Sequence, residues 1–298
     1  MKHLPVRFRA VVAMAAVAAV AAVAAVAAGC ATPAAPRPER ELTRAEQLRI
    51  SDANEVLIKQ CMNRAGFSYW TSPRLSLEKS RTSDYVNDDV EWARKHGYGS
   101  RIEAAADRYR RTNPNGAYRE GLSAERREAY DEALDGGRRA RILTAKLPGG
   151  VATIRKRLGG CSEEAERKLY GDPDAWFRAD KAASNLQPLY VPDILRDERF
   201  TTALAGWAAC MKRSGFPHPD PTAARDAAAR SEDFGTETRT AVAEARCARE
   251  TSLAAVARER QTHYLNALRA EYGDELDAHR RLRYRAYERA AGITGGRV

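Results

Sequence analysis

From Thr43 the apolar positions Leu48, Ala53, Val56, Leu57, Cys61 and Met62 recur at helical spacing behind a capping-box pair, Thr43 and Glu46. Gly66 marks the stop. The same ending is written twice, as CMNRAGF at 61–67 and CMKRSGF at 210–216. In a Schellman ending the glycine takes the left-handed position just past the helix, and the next residue packs back on the residue five before it. That count pairs Phe67 with Met62 and Phe216 with Met211, while Arg64, Lys212 and Arg213 sit in the last turn where cations suit the helix dipole. Met62, Gly66, Phe67, Met211, Gly215 and Phe216 are therefore expected to be helix stops. The functional alternative is a ligand-binding lip of Met and Phe side chains.

Between the two copies, DYVNDDVEWARKHGYG places Asp84, Asp88 and Asp89 at the start of a short helix and Arg94, Lys95 and His96 at its end. A calcium or carboxylate site at Asp84, Asp88, Asp89 and Glu91 is the rival, but the glycine and terminal glutamate of an EF-hand loop are missing. LSAERREAYDEALDGG reads as a helix from Ser123 to the Gly136-Gly137 exit. The run RILTAKLPGGVATIRKRLGGC alternates on either side of Pro148-Gly149-Gly150, which predicts a β-hairpin near 141–158, and SEEAERKLYG reads as a short helix. Beyond it, one helix is expected from Pro192 through Cys210, PHPDP at 217–221 is a rigid turn, a helical run follows from Thr236, and DELDAHRRLRYRAYERAAG closes the chain. The predicted fold is mainly α: two disulfide-stapled helical modules, 43–190 and 191–298, with a small β-hairpin in the first.

The N-terminus changes the setting. Lys2, Arg7 and Arg9 precede an uncharged run from Val11 to Ala28, the layout of a secretory signal. The following Ala27-Ala28-Gly29-Cys30 resembles a bacterial lipoprotein signal, which implies a signal peptide over 1–29 and a lipid on the Cys30 sulfur. An uncleaved transmembrane anchor is the alternative, since about 18 apolar residues just span a bilayer. Residues 30–42, rich in Ala and Pro, read as a tether. On either reading the remainder lies outside the cytoplasm.

Of the five cysteines, setting Cys30 aside leaves Cys61, Cys161, Cys210 and Cys247, an even set suited to two disulfides in an oxidising compartment. Four cysteines allow three connectivities. The duplication suggests one of them: if each CMxxxGF opens a module, its partner is the next cysteine, giving Cys61–Cys161 and Cys210–Cys247. No CxxC or HxxxH spacing accompanies them, so no metal is expected.

The paired CMxxxGF segments, DVEWARKHGYG, LSAERREAYDEAL, LGGCSEEAERKLYG and AVAEARCARETSL together resemble a group of uncharacterised secreted lipoproteins of high-GC actinobacteria, over roughly residues 50–270. The resemblance implies an extracytoplasmic, lipid-anchored protein with that cysteine pairing, in the company of envelope export systems. It implies no activity.

Catalytic signatures are missing from the sequence. His96, His218, His263 and His279 stand in no local constellation with a serine or free cysteine, and there is no GxSxG, HExxH or Gly-rich phosphate loop. Neither a cofactor nor a metal is expected. The formal charge of +10 is densest at the C-terminus, where Arg280, Arg281, Arg283 and Arg285 alternate with Tyr284 and Tyr287. Outside the cell such arginines suit anionic lipid or wall polymer rather than nucleic acid; a solvated helix face is the plain alternative. The leading expectation is a non-enzymatic binding or accessory protein of the cell envelope, held on the outer face of the plasma membrane by Cys30 and serving an envelope transport or sensor protein. The alternatives are an envelope hydrolase with a site assembled from scattered carboxylates, and a passive wall-associated protein.

Overall fold

The computed structural model describes residues 40–295 except 82–84 and 151, so Cys30, the signal segment and Asp84 lie outside the described residues. Those residues form one compact unit. It is mainly helical, with thirteen α-helices and one two-stranded antiparallel hairpin among the described residues.

Helix α1 (Arg44–Arg64) starts as its capping box predicts: the Thr43 backbone amide donates to Glu46 at 2.7 Å, and the Glu46 amide to the Thr43 hydroxyl. Helix α2 (Val90–His96) is capped by Asp89, which accepts from the amides of Glu91 and Trp92. Helices α3 (Ser100–Arg111) and α4 (Pro114–Glu120) follow, then α5 (Ala124–Asp135) between its Ser123 cap and left-handed Gly136. Strands β1 (Arg141–Lys146) and β2 (Thr153–Leu158) pair with Arg141 opposite Leu158. Leu143, Ala145 and Leu158 bury one face of this hairpin against Phe177. Helices α6 (Gly160–Tyr170) and α7 (Pro173–Ser184) complete the first half of the chain.

In the second half, α8 (Gln187–Arg196) and α9 (Glu198–Arg213) replace the single helix expected through Pro192 and Cys210. Asp197 is the reason: its extended backbone breaks the run, and its carboxylate caps α9 by accepting from Arg199 and Phe200. Helix α10 (Pro221–Ser231) begins where the sequence suggests only a turn, with Asp220 as cap and Pro221 in the first turn. Helices α11 (Phe234–Glu250) and α12 (Leu253–Ala267) are separated at Thr251 and Ser252, the latter left-handed at φ 58°. Helix α13 (Arg269–Ile293) runs through Gly273 without stopping.

Disulfides join Cys61 of α1 to Cys161 of α6 and Cys210 of α9 to Cys247 of α11. Both repeated heptads end their helices identically. Gly66 at φ 81° and Gly215 at φ 87° carry the two Schellman bonds, from Phe67 to Met62 and from Phe216 to Met211. Met62 and Met211 are completely buried and Phe67 nearly so, which places these three in the core, while Phe216 is half-buried against the second core.

Two large cores result, but they do not divide at residue 190. Ala286 and Ala290 of α13 are buried beside Ile50, Leu57 and Met62 of α1, Tyr130 of α5 and Leu169 of α6. The C-terminal helix thus completes the first core; its alanines let the backbones of α13 and α1 approach closely. In return α2 packs on α11, with Val90 and Ala93 against Ala241 and Ala245. The Glu237 carboxylate of α11 accepts from the amides of Tyr98 and Ser100, and a Cβ at Gly97 would strike it at 2.7 Å. The second core gathers Tyr190, Phe200, Trp207, Met211 and Leu253.

Candidate functional site

The first core leaves a cleft of about 470 Å³ where α1, α6, α7 and α13 meet. Helix α6 supplies Tyr170 and Glu166, α7 supplies Trp176, Asp180 and Ser184, α13 supplies His279 and Arg283, and α1 supplies Ser51 and Asn54. The spacings follow from the helices. Ser51 with Asn54, Asp180 with Ser184, and His279 with Arg283 stand three or four residues apart, so each pair shares a face.

Three parallel rings form one wall. Trp176 stacks on Tyr170 at 3.9 Å and 3°, and on His279 at 5.4 Å and 12°. Asp180 lies 3.9 Å from His279 Nε2, is paired with Lys181 at 2.8 Å, and accepts from the Ser184 hydroxyl at 3.5 Å. Glu166 is paired with Lys156 of β2. Burial, reinforced by the Arg283 cation, pushes His279 down to about 4 against the pull of Asp180 and Glu41, so the imidazole is neutral at pH 7. Burial also raises the Tyr170 phenol. Perturbed groups gathered in a cleft mark a candidate site.

Arg283 is the one arginine among the lining residues, and among the described residues it makes no hydrogen bond or ion pair. A larger cleft of about 610 Å³ near α5 shows the contrast. There Arg119 grips Asp131 through two bonds of 2.5 and 2.6 Å, Arg138 meets Glu128, Arg157 faces Asp135, and Arg127 donates to two backbone carbonyls. That surface neutralises itself.

No family model, curated protein or solved structure matches this chain.

The four arginines singled out by the sequence are dispersed by the helix. Arg280 pairs with Glu41 at 3.3 Å, Arg283 enters the cleft, and Arg281 and Arg285 are exposed. Asp88, Asp89 and Glu91 do not gather: Asp88 pairs with Arg258, Asp89 caps α2 and pairs with Arg81, and Glu91 pairs with Arg94. No cluster fit for a metal ion occurs among the described residues. Of the histidines, His96 bonds Glu78 at 2.8 Å and His279 alone lines the cleft. Trp176, Tyr170, Asp180, Ser51 and Asn54 stand in no motif that marks them in the sequence. The local sequence does carry one signal: Asp172-Pro173 is a cap followed by proline, which opens α7 and positions Trp176 in its first turn.

Proposed function

We propose that the protein is an extracytoplasmic lipoprotein, anchored to the outer face of the plasma membrane through Cys30, and that it acts as a non-enzymatic binding or accessory protein of the cell envelope. The observation that carries the reading is the pair of disulfides between helices, Cys61–Cys161 and Cys210–Cys247, behind a secretory-type N-terminus. Disulfides persist in oxidising compartments, and these two use every cysteine except the one at the lipoprotein-like site. No helix among the described residues is long and apolar enough to cross a membrane.

Binding is favoured over hydrolysis by the state of the carboxylates. Two pairs that the fold brings together each hold an arginine between them: Arg141 bridges Glu163 and Asp174, and Arg260 bridges Asp197 and Glu259. Each is engaged in an ion pair rather than facing open space.

Detergent phase partition of the full-length protein expressed in an actinobacterial host, beside Cys30→Ala, tests the anchor. The wild type is expected in the detergent phase with a palmitate label and Cys30→Ala in the aqueous phase without one; equal partition of the two overturns it. In-cell crosslinking with the same pair then tests the accessory role, which predicts anchor-dependent capture of one transport or sensor protein.

A further inference from the structure

We propose that the cleft between α1, α6, α7 and α13 binds a small hydroxylated organic anion, a sugar carboxylate or sugar phosphate, with the oxyanion on Arg283 and hydroxyls on Ser51 and Asn54. This rests on reading the protein as a binding protein and names the chemistry of its ligand.

Charge selects the anion. Of the cleft's two carboxylates, Glu166 pairs with Lys156 through Oε1, its buried Oε2 having no hydrogen-bond partner, and Asp180 pairs with Lys181, while Arg283 is the one arginine among the lining residues and makes no ion pair with a described residue. A guanidinium offers a planar fork of donors that fits two oxygens of a carboxylate or phosphate, and charge-assisted bonds of this kind are the strong ones. His279 does not compete, because burial and Arg283 itself keep it neutral.

Hydrogen bonding selects the hydroxyls. Ser51 and Asn54 lie on one face of α1 toward the cleft, and their side chains have no partner among the described residues. Hydroxyl and carboxamide both donate and accept, as recognition of sugar hydroxyls requires. The volume of about 470 Å³ lies in the usual range for a small-molecule site.

The test is calorimetric titration of the full chain at neutral pH with D-glucuronate, D-glucose 6-phosphate and D-glucose, on wild type, Arg283→Met, Arg283→Lys and the distant control Arg230→Met. At least one anion is expected to bind, with neutral glucose and Arg283→Met each weaker by about tenfold or more, Arg283→Lys intermediate, and Arg230→Met unchanged. Which anion binds identifies the source of the oxyanion. A second readout is the His279 ring resonance in NMR. An anion on Arg283 removes a repulsion, so His279 should protonate at higher pH in the presence of the bound sugar anion. The groups facing this ring besides Arg283 are Asp180 of α7, Glu41 ahead of α1 and Arg280 of α13, and none of them is altered. Failure of both anions to bind folded wild type, glucose binding as tightly as glucuronate, or full binding by folded Arg283→Met overturns the proposal. Partition through Cys30 is measured separately, so loss of this ligand leaves the anchor intact.

Discussion

The Phe67 amide donates to the Met62 carbonyl at 3.0 Å, and the same bond joins Phe216 to Met211 at 2.9 Å. One local device thus ends two helices, each with a disulfide cysteine just before the methionine. The glycine between supplies only a backbone angle, since a Cβ at Gly66 or Gly215 would meet nothing within 4 Å. Gly66→Ala and Gly215→Ala should therefore each cost about 1 kcal/mol through left-handed strain alone. Denaturant unfolding with an unchanged slope and a lower midpoint is the expected result; an unchanged midpoint would contradict it.

The two disulfides should differ in weight. Cys61–Cys161 spans 100 residues and Cys210–Cys247 spans 37. In the chain-entropy view their removal costs about 5 and about 4 kcal/mol, respectively. Paired Cys→Ser variants compared by thermal unfolding should rank in that order. The reverse order would mean that packing at the bridges outweighs loop closure.

His279 makes stability depend on pH with a definite sign. Its folded-state value of about 4 lies below the ordinary 6.5, so between these values the unfolded chain binds more protons. Stability is full above about 6.5 and falls as the pH drops toward 4, by up to roughly 3 kcal/mol from this residue. His279→Gln should flatten that part of the stability profile. If the profiles of wild type and variant run parallel, the imidazole is not buried in the way its stack with Trp176 implies.

A buried ion pair makes a separate claim. Glu244 of α11 is fully buried, pairs with Arg225 of α10 at 3.1 Å and accepts from the Asn87 amide at 3.2 Å. Burial raises its carboxyl above the usual range. Glu244→Gln keeps a neutral acceptor for Asn87 and should be tolerated, whereas Arg225→Met strands a buried carboxylate and should cost about 3 kcal/mol or more at neutral pH. Denaturant curves for the two variants at pH 7 check this ordering.

How legible the fold was depends on the range of the interaction. The Thr43–Glu46 box, the glycine stops and the alternating hairpin at 141–158 are written within a few residues, and the sequence displays them. The breaks at Asp197 and Ser252 were hidden because apolar spacing continues across them. Asp197 caps α9 locally, and its carboxylate also meets Arg260 and Tyr264, more than sixty residues away. The cleft was hidden for the same reason: Asn54, Tyr170, Trp176 and His279 come from four helices, and nothing local marks any of them as a partner of the others.

The exchange of helices between the cores gives the last prediction. A fragment covering 43–190 matches the first module as the sequence divides it and retains the Cys61–Cys161 bridge. It lacks Ala286 and Ala290, which fill the face of α1, and Arg289, which donates to the Leu169 carbonyl at 2.8 Å near the end of α6. It also lacks Glu237, which holds the turn at Tyr98 and Ser100. Apolar faces of α1 and α2 would then meet water, at about 25 cal/mol for each Å² exposed. The fragment should keep helical circular dichroism but lose its cooperative thermal transition, and adding a peptide of residues 269–295 should restore part of it. A fragment that unfolds as sharply as the full chain would mean that α13 rests on a core already complete without it.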